Sequence, residues 1–236
     1  MKLTLEEIMI VGMHLGHATS HSHPKIAPYT YGARNGIQII DLVKTLEQIE
    51  KAQKFISSIR RKGDNILFVG TKKQASDSIK ERAIASQSFF VNKRWLGGIL
   101  TNLPTIQASL FQLHRLEREQ KGGGWDFLPK KKVILLQKRL QRLEQYVGGL
   151  KGMQKLPGVV IIVGQTTEIT AVTECFKLNI PRICRIDTDC NPDLVKISVP
   201  MNDDSMPRIR LFLQSLILGI QEGRLSIILK NTNSND

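Results

Sequence analysis

No run of about 18 apolar residues occurs in this chain, so no membrane-spanning helix is expected. Cysteine is scarce: Cys175, Cys184 and Cys190 make an odd number with no C-x-x-C pair, which argues against a disulfide scaffold or zinc knuckle and for reduced thiols. The phosphate-cradling spacing G-x-x-x-x-G-K-[ST] is missing, and no G-x-G-x-x-G follows a strand-like segment. The first residues, Met1-Lys2-Leu3-Thr4-Leu5-Glu6-Glu7, carry neither a basic stretch leading into an apolar run nor an Arg/Ser-rich pattern. Neither a secretory signal nor a transit sequence is expected, and the protein is expected to work in the compartment where it is made.

Carboxylates are also few, 21 against 34 lysines and arginines, for a net charge of +13. The imbalance is uneven. Residues 1–100 hold 15 bases against 8 acids, residues 101–155 hold 11 against 4, and residues 156–236 hold 8 against 9. A generic soluble surface would spread its charge. More than half of this excess sits in 55 residues, which points to a polyanion on that side. A hydrophobic content of 41% is enough for a packed interior, and 236 residues suit one core with an appendage.

Fully apolar runs at Ile66–Val69 and Val159–Val163 read as strands buried on both faces, and Ile183–Ile186 reads as a third strand. Helical patterns lie between and around them: Thr4–Val11, Asp41–Lys62 after a short strand at Ile37–Ile40, Gly70 to about Ser86, Glu168–Leu178, and Asp203 to about Glu222. This alternation predicts an α/β fold with a parallel sheet and helices on both faces. Residues 102–152 break it. Leu103, Ile106, Leu110 and Leu113, then Val133, Leu136, Leu140, Leu143 and Val147, step by threes and fours around a breaker, Gly122-Gly123-Gly124-Trp125 to Pro129. These seams predict an antiparallel coiled-coil hairpin about 30 Å long. The expected division is residues 1–101 with 153–229 as one core domain, 102–152 as an inserted hairpin, and 230–236 as a polar, mobile tail. Joining Thr101 to Gly152 is then expected to leave a folded sheet domain.

The densest segment is Val91-Asn92-Lys93-Arg94-Trp95-Leu96-Gly97-Gly98-Ile99-Leu100-Thr101-Asn102. It offers two cations, a large aromatic expected to be buried, a Gly pair for tight backbone approach and a Thr or Asn to cap the next helix. Lys72 and Lys73 follow a strand at the start of a helix, where backbone N–H groups attract anions. Arg115, Arg118, Lys130, Lys131 and Lys132 decorate the hairpin with few acids to pair them. His14, His17, His21 and His23 crowd ten residues. A closed metal site needs four ligands in a tetrahedral array, so RNA contact or turn hydrogen bonding is the better reading, and no metal is expected. Asp187, Asp189 and Asp193, with Asp203 and Asp204, could hold Mg²⁺, but turn and cap chemistry accounts for them and no nucleophile or base motif accompanies them.

These residues also carry a resemblance. The 91–102 segment resembles the signature of the bacterial and organellar S-two family of small-subunit ribosomal proteins. Further blocks follow in that family's order: Gly12 to His17, Pro24-Lys25-Ile26-Ala27-Pro28-Tyr29, Ile39 to Leu42, Phe68 to Lys72, Asp187 to Asp193 and Asn202 to Ser205. Where the family reads LPD and VVD, this chain has Leu156-Pro157-Gly158 and Ile162-Val163-Gly164. The resemblance implies a flavodoxin-like, Rossmann-like three-layer core with a protruding helical hairpin. It implies a structural constituent of the small subunit that binds its rRNA and neighbouring ribosomal proteins, without catalysis, cofactor or small-molecule substrate. Lys93, Arg94, Lys72, Lys73, His14, His17, Lys25, Arg115, Arg118 and Lys130 to Lys132 are the candidate rRNA contacts. The 187–194 block and Glu222-Gly223-Arg224 resemble plastid members, which implies an organelle-encoded protein of the chloroplast stroma, with a bacterial cytoplasm as the alternative. The competing readings are a nucleotide- or phosphosugar-processing α/β enzyme using Asp187, Asp189 and Lys72, and a basic coiled-coil adaptor that binds proteins alone.

Overall fold

The computed structural model describes residues 3–202 and 205–232, with side chains through Ser226. Eight strands and seven α-helices occur along it, beginning with α1 (Leu5–Ile10), β1 (Leu15–Ala18), β2 (Thr30–Arg34), β3 (Ile37–Ile40), α2 (Leu42–Arg61), β4 (Ile66–Val69), α3 (Lys73–Ala85) and β5 (Phe89–Val91). Then follow α4 (Leu103–Lys121), α5 (Lys130–Val147), β6 (Val159–Val163), α6 (Ile169–Lys177), β7 (Arg182–Ile186), β8 (Ile197–Pro200) and α7 (Met206–Thr232). The main sheet is parallel throughout, in the order β5-β4-β6-β7-β8. A small antiparallel sheet, β1-β3-β2, stands beside it.

The continuous apolar strands follow from a sheet covered on both faces. Ile66 and Phe68 of β4, with Val159, Ile161 and Val163 of β6, pack under α2, α3 and α7. The alternate residues Leu67, Val69, Val160 and Ile162 pack with α4, α6 and Trp95. The three layers are thus two hydrophobic clusters separated by one sheet, the α/β architecture expected. Four strands were not foreseen. β5 has three residues, β8 ends in Pro200, β1 is half exposed and β2 almost wholly exposed, so none shows the alternation or apolar run that marks a strand.

Local chemistry sets the helix ends. Thr4 and Glu7 form a capping box at α1. Asp41 accepts from the Val43 and Lys44 N–H groups at α2. At α4 the expected cap does not form: Asn102 holds the N-cap position without a side-chain bond, and Thr101 is engaged elsewhere. α7 runs through Thr232, past Lys230, where the polar tail was expected to begin; Asp203, its expected cap, and residues 233–236 lie outside the described residues. α7 crosses α2 closely. A Cβ on Gly219 would stand 2.6 Å from the Gln53 carbonyl oxygen, and one on Gly223 would stand 2.8 Å from Arg60 Cβ. A Cβ on Gly149 would come 2.2 Å from the Phe90 carbonyl oxygen, so the turn after α5 lies against the edge strand β5 and shields it.

α4 and α5 pack on each other, but unevenly. Gln120 and Lys121 at the end of α4 share a surface hollow with Gln137, Leu140 and Gln141, and Lys151 bridges Glu117 and Glu144. The first half of α5 therefore extends past the end of α4. Ile106, Leu110 and Leu113 belong to the same cluster as Leu67, Val69 and Val91. The inner half of the hairpin is core, while Val133, Leu136, Leu140 and Leu143 are only half buried. Removing all of 102–152 strips apolar cover from β4 and β5 and should yield a molten product. Replacing only residues 122–138 with a short Gly/Ser linker should preserve a cooperative melt. Hydrogen exchange on the two deletions distinguishes a shared core from an independent hairpin.

Candidate nucleic-acid interface

In a parallel sheet the loops that follow the strands gather at one edge, and here that edge collects the candidate residues outside the hairpin. Val69 of β4 is in register with Val91 of β5, and the Gly70 N–H donates to the Val91 carbonyl at 3.1 Å. The two cationic segments, Lys72-Lys73 and Lys93-Arg94, therefore leave neighbouring strands side by side. Lys73, Lys93 and Arg94 are exposed and Lys72 is half buried. Trp95 is buried beneath them.

What holds this loop is a residue that the sequence did not single out. Glu174, on the buried face of α6, collects the Trp95 indole N–H at 2.9 Å and the Gly98 N–H at 2.8 Å on Oε1. Its Oε2 accepts from the Leu100 N–H at 3.0 Å, the Thr101 N–H at 3.1 Å and the Thr101 hydroxyl at 3.2 Å. Gly98 turns the chain at φ +91°, a conformation that L side chains rarely adopt. Burial pushes the Glu174 carboxyl up, but the indole and the backbone donors more than offset it, so it titrates below the usual carboxylate range. At the other end of the loop, the Asn92 amide donates to the Ser76 carbonyl at 3.0 Å. Lys93 and Arg94 thus stand on a rigid base, with their charge directed outward.

A second carboxylate closes the crevice between β4 and β6. The strand order reverses there, which is where open α/β sheets take phosphorylated ligands. Glu168 fills it: its Oε1 accepts from both the Thr71 N–H and the Thr71 hydroxyl at 2.6 Å. A Cβ on Gly70 would stand 2.4 Å from Ile79 Cδ1, so there is no slack behind the loop. The acid missing at Gly158 has a steric counterpart, since a Cβ there would already lie 2.7 Å from Asp64 Cβ.

The histidines and the acidic loop lie farther along the same edge and engage each other. His17 Nδ1 is 3.1 Å from Asp187 Oδ1. The backbone N–H of His17 donates to the Thr188 hydroxyl at 2.9 Å, and that of His23 donates to the Thr188 carbonyl at 2.8 Å. Lys25 pairs with Asp193. A Cβ on Gly16 would approach Thr188 Cγ2 to 2.5 Å, so glycine is what lets the N-terminal arm lie this close. Burial pushes the Asp187 carboxyl up, while the Thr188 N–H, His17 and Arg185 draw it part of the way back. Asn191 accepts from the Asp193 N–H at 3.1 Å, the turn expected there. His14 Nδ1 is buried without a hydrogen-bond partner among the described residues. No group of three or more His, Cys, Asp or Glu arranged for a metal is found among the described residues. Burial pushes the Cys175 and Cys190 thiols up to about 12, so they stay protonated at neutral pH.

On the hairpin, Arg115 pairs with Glu119 at 2.7 Å, and Arg118 is exposed near it. Lys130, Lys131 and Lys132 form the exposed first turn of α5, which has no acid and no side-chain cap. They lie far along the chain from the sheet edge and form a second cationic group.

Because Glu174 titrates lower in the folded chain than unfolded, it adds stability above the ordinary carboxylate range and loses it as the pH falls through its folded value. Glu174→Gln should cost on the order of 3 kcal/mol at neutral pH, since it sets an amide against several buried donors. The gap between variant and parent should narrow in acid. Denaturant melts across pH 3–7 would check this; a gap constant with pH would mean that the charge of Glu174 is not what holds the loop.

A family model described as Ribosomal protein S2 matches residues 8–223. Small ribosomal subunit protein uS2c of Mesostigma viride is 46% identical over 220 residues, covering 93% of this chain and 96% of its own length. The uS2c of Chlorella vulgaris is 45% identical over 224 residues, 95% of this chain and 84% of its own. The uS2 of the cyanobacterium Synechococcus elongatus is 43% identical over 222 residues, 94% and 88% respectively. With near end-to-end matches of this kind and the α/β fold that goes with them, the chain belongs to the ribosomal protein S2 family.

Proposed function

We propose that this chain is a structural constituent of the small ribosomal subunit that binds small-subunit rRNA and neighbouring ribosomal proteins and performs no catalysis. The observation that carries the reading is the exposed Lys93-Arg94 pair on a loop fastened from below by Glu174. Rigid presentation favours binding because less side-chain and loop freedom is lost on contact. Lys73 on the adjacent strand end extends the same charged edge, and Arg94 adds a planar fork suited to phosphate.

Lys130, Lys131 and Lys132 support the reading from another direction. Three cations in the first turn of α5 oppose the helix dipole, which favours acids at that end. A phosphate in front of them would turn that repulsion into attraction. Lys25 and Arg115 are weaker candidates, since each already faces a carboxylate. His17 is likewise a weaker candidate, since its Nδ1 faces Asp187, and the His14 Nδ1 is buried.

The enzyme alternative finds little support in the geometry. The crevice at the strand reversal is taken by the protein's own Glu168, and Asp187 is engaged by Thr188 and His17. The plastid and cyanobacterial relatives support a ribosome of plastid or bacterial type; we place this chain in the chloroplast stroma as an organelle-encoded protein.

Affinity for small-subunit rRNA should fall steeply with salt. If about 5 phosphates are neutralised, the log–log slope approaches roughly −4. Lys93→Ala with Arg94→Ala should flatten that slope by about 2 and lower co-sedimentation with small subunits, while thermal stability changes by no more than about 0.5 kcal/mol. A parent slope near zero would overturn the rRNA reading; equal loss of stability and incorporation would show the pair to be structural.

A further inference from the structure

The arm formed by β2 and β3 is not accounted for by the cationic edge. β2 is the outer strand of its sheet and is exposed along nearly its whole length. The turn at its end is tight, with Asn35 at φ +51° and Gly36 at φ +75°, a pair that suits a two-residue hairpin. Thr30 is opposite Ile40 and Gly32 is opposite Ile39. Tyr31 is therefore an extra residue in a β-bulge, a device that re-aims a side chain. Its side chain is 84% exposed. Beside it Gly32 leaves open space, and Arg34 is exposed with no carboxylate partner among the described residues. The base of the arm is held firmly: the Thr30 hydroxyl donates to the Ala27 carbonyl at 3.0 Å, and the Lys44 ammonium donates to the Pro28 carbonyl at 2.7 Å.

We infer that this hairpin is a second rRNA contact, in which the Tyr31 ring stacks on an unpaired base and Arg34 meets the adjoining phosphate. The inference rests on the rRNA-binding reading above. Charge favours RNA as the occupant: residues 8–40 contain Lys25, Arg34 and four histidines and not one Asp or Glu. Strand addition by a protein is disfavoured, because the bulge at Tyr31 breaks the regular N–H and C=O spacing that an added strand would pair with. Aromatic rings bind unstacked bases in just this exposed setting, whatever the base.

The test measures binding of the full chain to small-subunit rRNA across salt for Tyr31→Ala, Tyr31→Leu, Tyr31→Phe and Arg34→Ala, with Lys93→Ala/Arg94→Ala alongside and a thermal melt of each. Loss of one stacked base should weaken binding about tenfold in both the Ala and Leu variants, with the salt slope and the melt unchanged. Tyr31→Phe should bind like the parent. Arg34→Ala should flatten the slope by about 1. A photoreactive aromatic at position 31 should attach to rRNA in assembled subunits. The inference is overturned if Tyr31→Ala binds like the parent while the Lys93/Arg94 variant is weakened, if Leu restores what Ala loses, or if the crosslink goes to protein. If the parent itself fails to bind rRNA, the broader reading falls with it.

Discussion

One buried carboxylate organises the cationic edge of this protein. Glu174 sits on a helix, yet five donors from a loop more than seventy residues earlier converge on it. A loop carrying two adjacent cations and two glycines would otherwise be a poor scaffold, since glycine raises the conformational entropy lost on ordering and neighbouring cations repel. The carboxylate supplies what the loop lacks. It satisfies backbone groups that have no secondary-structure partner, brings Trp95 under the loop as a hydrophobic base, and places its own negative charge behind Lys93 and Arg94. Charge-assisted bonds of this kind are roughly twice as strong as neutral ones. Because α4 begins at the end of the same loop, the entry of the hairpin is set by the same contact.

The parts of the fold that were legible are those in which one residue reports its own environment. β4 and β6 read as strands because a sheet covered on both faces favours apolar side chains at every position, and α2 reads as a helix because Asp41 caps it and its apolar residues recur at helical spacing. β2 and β8 could not be read that way. One is exposed along most of its length and the other closes on a proline, so each is a strand only because a neighbour pairs with it. The hairpin shows the same limit from another side. Its seams were visible as a period, but whether Ile106, Leu110 and Leu113 face α5 alone or also the sheet depends on where the loop before them is pinned, which no local pattern encodes.

The candidate site divides along the same line. Lys93 and Arg94 stood out because cations flanked by tryptophan and a glycine pair are conspicuous in the sequence. Glu174 did not, because a single acid between Val172 and Cys175 looks like an ordinary helix position. The one available signal was its place on the apolar face of that helix, where an unpaired carboxylate would be costly and a distant partner is therefore required. The same reasoning applies to Glu168, whose partner is nearly a hundred residues away. The histidines were conspicuous for another reason, their density in sequence; in the structure His23 Nδ1 accepts from the Lys25 N–H in a turn, His17 and His23 lie against Thr188, and His14 is half buried.

Taken together, the acids and bases are sorted by direction rather than by number. Glu168, Glu174 and Asp187 point inward and are consumed by backbone and side-chain donors, whereas Lys73, Lys93, Arg94 and Lys130 to Lys132 point outward with little to neutralise them. An enzyme that handles phosphates would need the reverse at the strand reversal: open donors lining a pocket, and acids free to take a metal or a proton. Here the donors of the crevice are already met by Glu168 and the cations lie outside it. Charge spread along a surface in this way is suited to an extended polyanion whose phosphates are spaced in the same manner. Self-repulsion among the outward cations is a cost present in the free chain, one that a bound polyanion would relieve.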